Sequence, residues 1–96
     1  MTSKQRAFLR GQANRLEAIL HIGKNGVTPE TVVSLEEALE ARELVKISVL
    51  PNCEEETEKV AEMLSARSRS ECVQVIGKKI VLYKRSKEKP AIELPK

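Results

Sequence analysis

Gly23-Lys24-Asn25-Gly26 is the stretch of this 96-residue chain whose residue types and spacing could do chemistry. Glycines at both ends of a four-residue turn let the backbone bend sharply and come close to a ligand. Thr28-Pro29-Glu30 follows at once. It reads as a helix start, with Thr28 as N-cap, Pro29 in the first turn and Glu30 at the positive end of the helix dipole. Free N–H groups at a helix start attract anions, and Lys24 adds a movable positive charge. The chemistry on offer is the holding of a phosphate, not the breaking of a bond. The pattern is too short for a P-loop and is not a dinucleotide fingerprint. As a bare tetrapeptide it reads first as a plain tight turn, and its place before a capped helix brings the two readings level.

A G-x-x-G loop is also the device by which KH domains clamp a nucleic-acid backbone. Other basic residues could extend such a contact. Arg6, Arg10 and Arg15 lie on the first helical segment, where they read as a solvated face or as a second contact surface, with Arg15 eight residues before the loop. Lys78 and Lys79 sit at a hairpin tip and read first as turn solvation, with nucleic-acid contact as the alternative. Formal net charge is +3, but it is segregated. Residues 1–24 set Lys4, Arg6, Arg10, Arg15 and Lys24 against Glu17; residues 25–71 hold eleven Glu against five basic residues; residues 72–96 hold seven basic residues against Glu88 and Glu93. Two positive ends and a negative middle suit a polyanion partner, nucleic acid before membrane.

Catalysis is poorly supported. The chain contains no Asp and one histidine, His21, which lies between apolar neighbours and reads as structural. Cys53, Cys72 and His21 are too few and wrongly spaced for a zinc site, and no nucleophile triad or cofactor motif stands out, so neither metal nor cofactor is expected. Glu54-Glu55-Glu56 reads as a helix opening. Two cysteines cannot build a secreted-type disulfide framework; a single bridge is disfavoured in a reducing compartment. No apolar run approaches the roughly 20 residues of a membrane span, and no signal-peptide core follows Met1. A cytoplasmic protein without a membrane partner is expected. Aromatics are 2%, only Phe8 and Tyr83, which argues against RNA recognition by a row of stacking rings.

The elements that must hold these residues follow from period. Leu9, Ala13 and Leu16 predict a helix from Ser3 to about Leu16, with Gly11 inside it marking a close backbone approach. Ile19 to Ile22 predicts a strand. Val32, Leu35 and Leu39, with Ala38, make the inner stripe of a helix from Thr28 to about Arg42. Leu44 to Leu50 alternates as a strand and stops at Pro51. Asn52 with Glu55 resembles a capping box, opening a helix to about Ala66 with Val60, Ala61 and Leu64 inward. Cys72–Ile76 and Lys79–Lys84 pair as a hairpin about Gly77-Lys78. The order α-β-α-β-α-β-β predicts an α/β domain over residues 1–84, a four-stranded mixed sheet packed with three helices. Residues 85–96, with Pro90 and Pro95, read as a polar, flexible tail that adds solubility.

Four blocks, in this order and spacing, resemble a known family: Leu9-Arg10-Gly11-Gln12-Ala13; Ile22-Gly23-Lys24-Asn25-Gly26-Val27; Glu37-Ala38-Leu39-Glu40 with Leu44-Val45-Lys46; and Val75-Ile76-Gly77-Lys78 with Ile80-Val81-Leu82-Tyr83. Together they resemble the YhbY-like proteins, the single-domain bacterial form of the CRM (chloroplast RNA splicing and ribosome maturation) domain. The resemblance covers about residues 3 to 84. It implies an architecture similar to the C-terminal domain of translation initiation factor three. It further implies RNA binding through Gly23, Lys24, Asn25, Gly26 and the adjoining basic surface, and association with rRNA of large-subunit precursors. Family members often carry a histidine pair after the alanine of the first helix; Asn14-Arg15 stands there in this chain, and Arg15 keeps the positive charge.

The residues thus lead to a non-catalytic, monomeric RNA-binding assembly factor whose Glu-rich helix surface faces away from RNA. The competing reading is an adaptor that docks a basic ribosomal protein through Glu36, Glu37 and Glu40. An RNA-processing enzyme would need a nucleophile or cofactor motif that the chain does not display.

Overall fold

A computed structural model describes all residues, Met1 to Lys96. Thr2 opens helix α1 (Ser3–Ala13) with a reciprocal capping box, its hydroxyl accepting from the Gln5 amide while the Gln5 side chain accepts from the Thr2 amide. Strand β1 is Leu20–Ile22. Helix α2 (Pro29–Arg42) starts as its sequence predicts: Thr28 Oγ1 accepts from the Thr31 amide at 3.1 Å and Pro29 occupies the first turn. Strand β2 (Leu44–Val49), helix α3 (Thr57–Ser68), strand β3 (Glu71–Ile76) and strand β4 (Lys79–Tyr83) complete the chain. Gly77 (φ 54°) makes the first corner of the β3–β4 hairpin.

The four strands form one mixed sheet in the order β1-β2-β4-β3, with β1 parallel to β2 and the other pairs antiparallel. Alternation within β2 divides the molecule into two cores. Val45, Ile47 and Val49 join Ile22, Ile80 and Leu82 beneath Leu35 and Leu39 of α2 and Val60, Ala61 and Leu64 of α3. Leu44 turns to the opposite face, where Leu9 and Ala13 of α1 pack with Val73, Val81 and Tyr83. Leu9, Leu35, Leu39, Ile47, Leu64, Ile80 and Leu82 are all fully buried. Each such side chain contributes about 1.5–3 kcal/mol over its exposed state, which is how a core nearly without aromatics holds.

Four expectations about the elements need correction. Helix α1 stops at Ala13, and Arg15 stands in the turn that follows, its amide donating to the Gln12 carbonyl at 3.3 Å. Helix α3 begins at Thr57, not at Asn52, and its N-cap Glu56 makes no side-chain cap bond. The i→i−4 ladder opens with the Val60 amide on the Glu56 carbonyl, whereas the Cys53 amide closes a turn on the Leu50 carbonyl. Residues 51–56 are thus the crossover from the sheet edge to the helix layer, not a first helical turn. At its other end α3 runs on to Ser68, whose buried hydroxyl donates to the Leu64 carbonyl at 2.7 Å.

Gly11 marks no close approach: a Cβ placed there would meet nothing within 4 Å. The tail is not loosely packed. Ile92 and Leu94 pack against the α1-side core, and the tail's backbone is gripped by two carboxylates from the end of α2. Glu43 Oε2 accepts from the Ser86 amide at 2.8 Å, and Oε1 accepts from Ala91 at 2.7 Å and Ile92 at 2.8 Å. Glu40 accepts from the Lys87 amide at 3.0 Å and from the Ser86 hydroxyl. Composition made the tail look solvated; the acceptors that order it lie over forty residues away.

Candidate nucleic-acid interface

The register places the candidate loop. Ile22 ends β1 beside Val49, and the Leu50 amide donates to the Ile22 carbonyl at 2.8 Å. Lys79 opens β4 beside Ser48, and the Val49 amide donates to the Lys78 carbonyl at 2.7 Å. Gly23–Gly26, the turn after Leu50 and the hairpin corner Gly77-Lys78 therefore share one edge of the sheet.

Within the loop the Gly26 amide donates to the Gly23 carbonyl at 3.0 Å, which closes a tight turn with Lys24 and Asn25 exposed at its centre. The two glycines serve different ends. Gly26 has φ 64°, a left-handed conformation that costs a side-chain-bearing residue about 1–2 kcal/mol. Gly23 is a close approach, since a Cβ there would lie 3.3 Å from Asn52 Oδ1 and 3.5 Å from Leu50 Cδ1. Asn52, read from sequence as a helix cap, instead has its side chain beside Gly23.

The loop's surroundings are asymmetric. On one flank a depression holds Lys24, Asn25 and Gly26 together with Cys53, Glu54 and Glu55. The Glu run was expected on a helix facing away from the loop; because residues 51–56 form the crossover at the same sheet edge, two of its carboxylates stand beside Lys24. Across the end of β2 from the loop lie Lys78 and Lys79, both exposed. Lys79 Nζ donates to Ser48 Oγ at 2.9 Å and so leans over the sheet.

The arginines divide. Arg10 and Arg15 are exposed. Arg6 is half-buried, and its guanidinium donates to the Cys72 carbonyl and, at 3.5 Å, to that of Val73. Those carbonyls flank the β3 irregularity between Cys72 and Gln74, so Arg6 satisfies a bulge whose ladder is interrupted. Both bonds come from one terminal nitrogen of the guanidinium.

Two residues at this surface escaped the sequence reading. His21 is exposed, not packed among its apolar neighbours, because Leu20 and Ile22 point to the opposite side of the strand. Lys46 lines a cleft with Asn14 of the α1 C-terminus and with Gln74, Ile76 and Lys79 of the sheet. The signal was available: β2 alternates, and Lys46 and Ser48 occupy its non-core positions.

No cluster of three or more His, Cys or Glu side chains is arranged to hold a metal ion. Both cysteines are free thiols, and burial pushes the Cys72 thiol above its ordinary range, which disfavours its thiolate. No helix is long and apolar enough to cross a membrane.

Comparison with known proteins supplies the family. The chain is 55% identical over 95 residues to a Bacillus subtilis protein named probable RNA-binding protein YqeI, with 99% of each chain covered. It is 32% identical over 96 residues to a Haemophilus influenzae protein named RNA-binding protein, covering 100% of this chain and 96% of that one. A solution structure from Staphylococcus aureus, of a protein described as a candidate for RNA binding, superposes with a TM-score of 0.82 at 44% identity over 99% of both chains. Residues 1–84 match the family model of the CRS1/YhbY (CRM) domain, and the chain belongs to that family.

Proposed function

We propose that this protein is a non-catalytic RNA-binding protein of the cytoplasm that acts as a monomer in ribosome assembly, on rRNA of the large-subunit precursor. The observation that carries the reading is the exposed Lys24-Asn25 tip, held between a close-approach glycine and a left-handed glycine. It stands immediately before the capped N-terminus of α2 and on the same sheet edge as Lys78 and Lys79. Gly23 and Gly26 let the backbone come near a phosphate, Lys24 supplies charge, and Asn25 offers both donor and acceptor. Arg10 and Arg15 extend the positive surface, with Arg6 contributing whatever donors the bulge leaves free. The names of the relatives point to the same class of partner.

Gel-shift titration of Lys24→Glu against precursor rRNA tests the loop. The variant is expected to keep the parent's circular dichroism and melting behaviour while losing affinity; equal binding by both proteins removes the loop from the mechanism. Sedimentation of the parent with large-subunit precursors, and not with mature particles, is the result expected for an assembly role. The adaptor reading draws on one feature, the exposed Val33 in a depression with Glu36, Glu37 and Glu40 on α2. Charge reversal at Glu36 and Glu37 is expected to leave precursor association unchanged; loss of association there, with Lys24→Glu still bound, favours the adaptor.

A further inference from the structure

We propose that the sheet face left open beyond α1 carries the RNA strand as it leaves the Gly23–Gly26 loop, with Lys46 and Lys79 holding phosphates and His21 and Ile76 meeting bases. The inference rests on the RNA reading above and deepens it by giving the strand a path.

Register supplies the first reason. His21 pairs with Ser48, Ser48 with Lys79, and Lys79 with Ile76, so these four residues form one row across all four strands. Paired residues point to the same face of a sheet. The row spans three strand spacings of about 4.8 Å, roughly 14 Å. It begins two residues from the loop at His21. The next row on the same face sets Lys46 beside Val81 and Gln74.

Coverage supplies the second. Helix α1 and the tail bury Leu44, Val73, Val81 and Tyr83 on this side and leave His21, Lys79 and Ile76 of the row exposed, with Ser48 buried between them. Ile76 is 60% exposed, the most of any large apolar side chain in the molecule, and Ile19 beside the face is 38% exposed.

Charge supplies the third and selects the occupant. The two rows contain Lys46 and Lys79 and no carboxylate. The opposite flank of the loop carries Glu54 and Glu55. A phosphate chain seated at Lys24 is repelled on that flank and attracted on this one. Ser48 accepts one of the three Lys79 ammonium donors and thereby positions the charge over the face with the others free. The only planar ring on the face is His21, since Tyr83 is buried. Binding there is accordingly electrostatic, salt-dependent and tolerant of base sequence.

The test uses the full chain and two fluorescently labelled probes, an oligo(U) single strand and a stem–loop RNA, followed by anisotropy across a salt series. Lys46→Gln and His21→Ala are each expected to weaken binding several-fold. Lys46→Gln should also make the log–log salt slope shallower by about 0.7, the value for one phosphate contact on a single strand. Arg67→Glu, at an exposed position on α3 over the opposite face, controls for net charge and should change binding little. If Lys24→Glu weakens binding while Lys46→Gln and His21→Ala do not, the sheet path is overturned and the loop reading stands. If the sheet variants weaken binding and Lys24→Glu does not, the path stands and the loop loses its part. Equal losses in Arg67→Glu and Lys46→Gln overturn the path in favour of diffuse attraction. No binding by the parent overturns both readings. Amide shift mapping on the unaltered chain guards against variants that misfold: RNA should move His21, Lys46, Gln74 and Ile76 and leave Glu36 and Glu37 in place, and the reverse pattern overturns the path.

Discussion

Glu43 shows how much a single residue organises. It closes α2 in a positive-φ conformation (65°), its amide donates to the Leu39 carbonyl at 2.7 Å, and its carboxylate collects three tail amides. Burial raises the pKa of this carboxyl, but the amides of Ile92, Ser86 and Ala91, aided by the charge of Arg85, outweigh it and leave the group below its ordinary 4.5. A depressed folded-state pKa means that the ionised carboxylate stabilises the fold above the unfolded value, and that this contribution is lost as pH falls through the folded one. Urea unfolding from pH 7 down to 3 should therefore show stability declining below about pH 4.5. Glu43→Gln should lose about 1–3 kcal/mol at neutral pH, because its amide NH₂ turns a donor toward donors, and should show a flatter decline on acidification. A variant as stable as the parent at pH 7 would mean that the tail is held by Ile92 and Leu94 alone.

Among the elements, α1 and the loop invite opposite outcomes from the same substitution. Gly11 is helical, exposed and faces open space, so Gly11→Ala should stabilise the protein by about 0.5–1 kcal/mol in denaturant titration. Gly26→Ala should destabilise it by about 1–2 kcal/mol, because the left-handed conformation is required by the turn before α2. If Gly11→Ala also weakens RNA binding, the helix surface at that point is in contact with RNA and the glycine is there for access. Within α2, Leu39→Ala opens the main core where it is fully buried and should cost about 2–5 kcal/mol. The elements themselves were largely legible: Leu35 and Leu39 at helical spacing, Val45, Ile47 and Val49 at strand spacing, and Gly77 at the hairpin each carry a local signal. The start of α3 was not. Asn52 and Glu55 satisfy a capping pattern locally, yet the Asn52 side chain lies beside Gly23, a neighbour brought there by the pairing of β1 with β2.

For the molecule as a whole, the tail completes the second core that α1 only half covers. Ile92→Ala combined with Leu94→Ala should lower the urea midpoint while leaving the far-ultraviolet dichroism native, since both residues pack on the sheet from outside any helix or strand. An unchanged midpoint would show that the tail adds nothing to stability.

The sequence by itself determined the order of elements, the family, and the glycine-bounded loop before a capped helix, because each rests on spacing between near neighbours. Tertiary structure alone decided that Lys46 and His21 share an open face with Lys79, that Glu54 and Glu55 flank the loop, that Arg6 serves a bulge, and that residues 85–96 are docked. Each of these depends on strand register or on an acceptor far along the chain, and neither periodicity nor composition encodes such pairings.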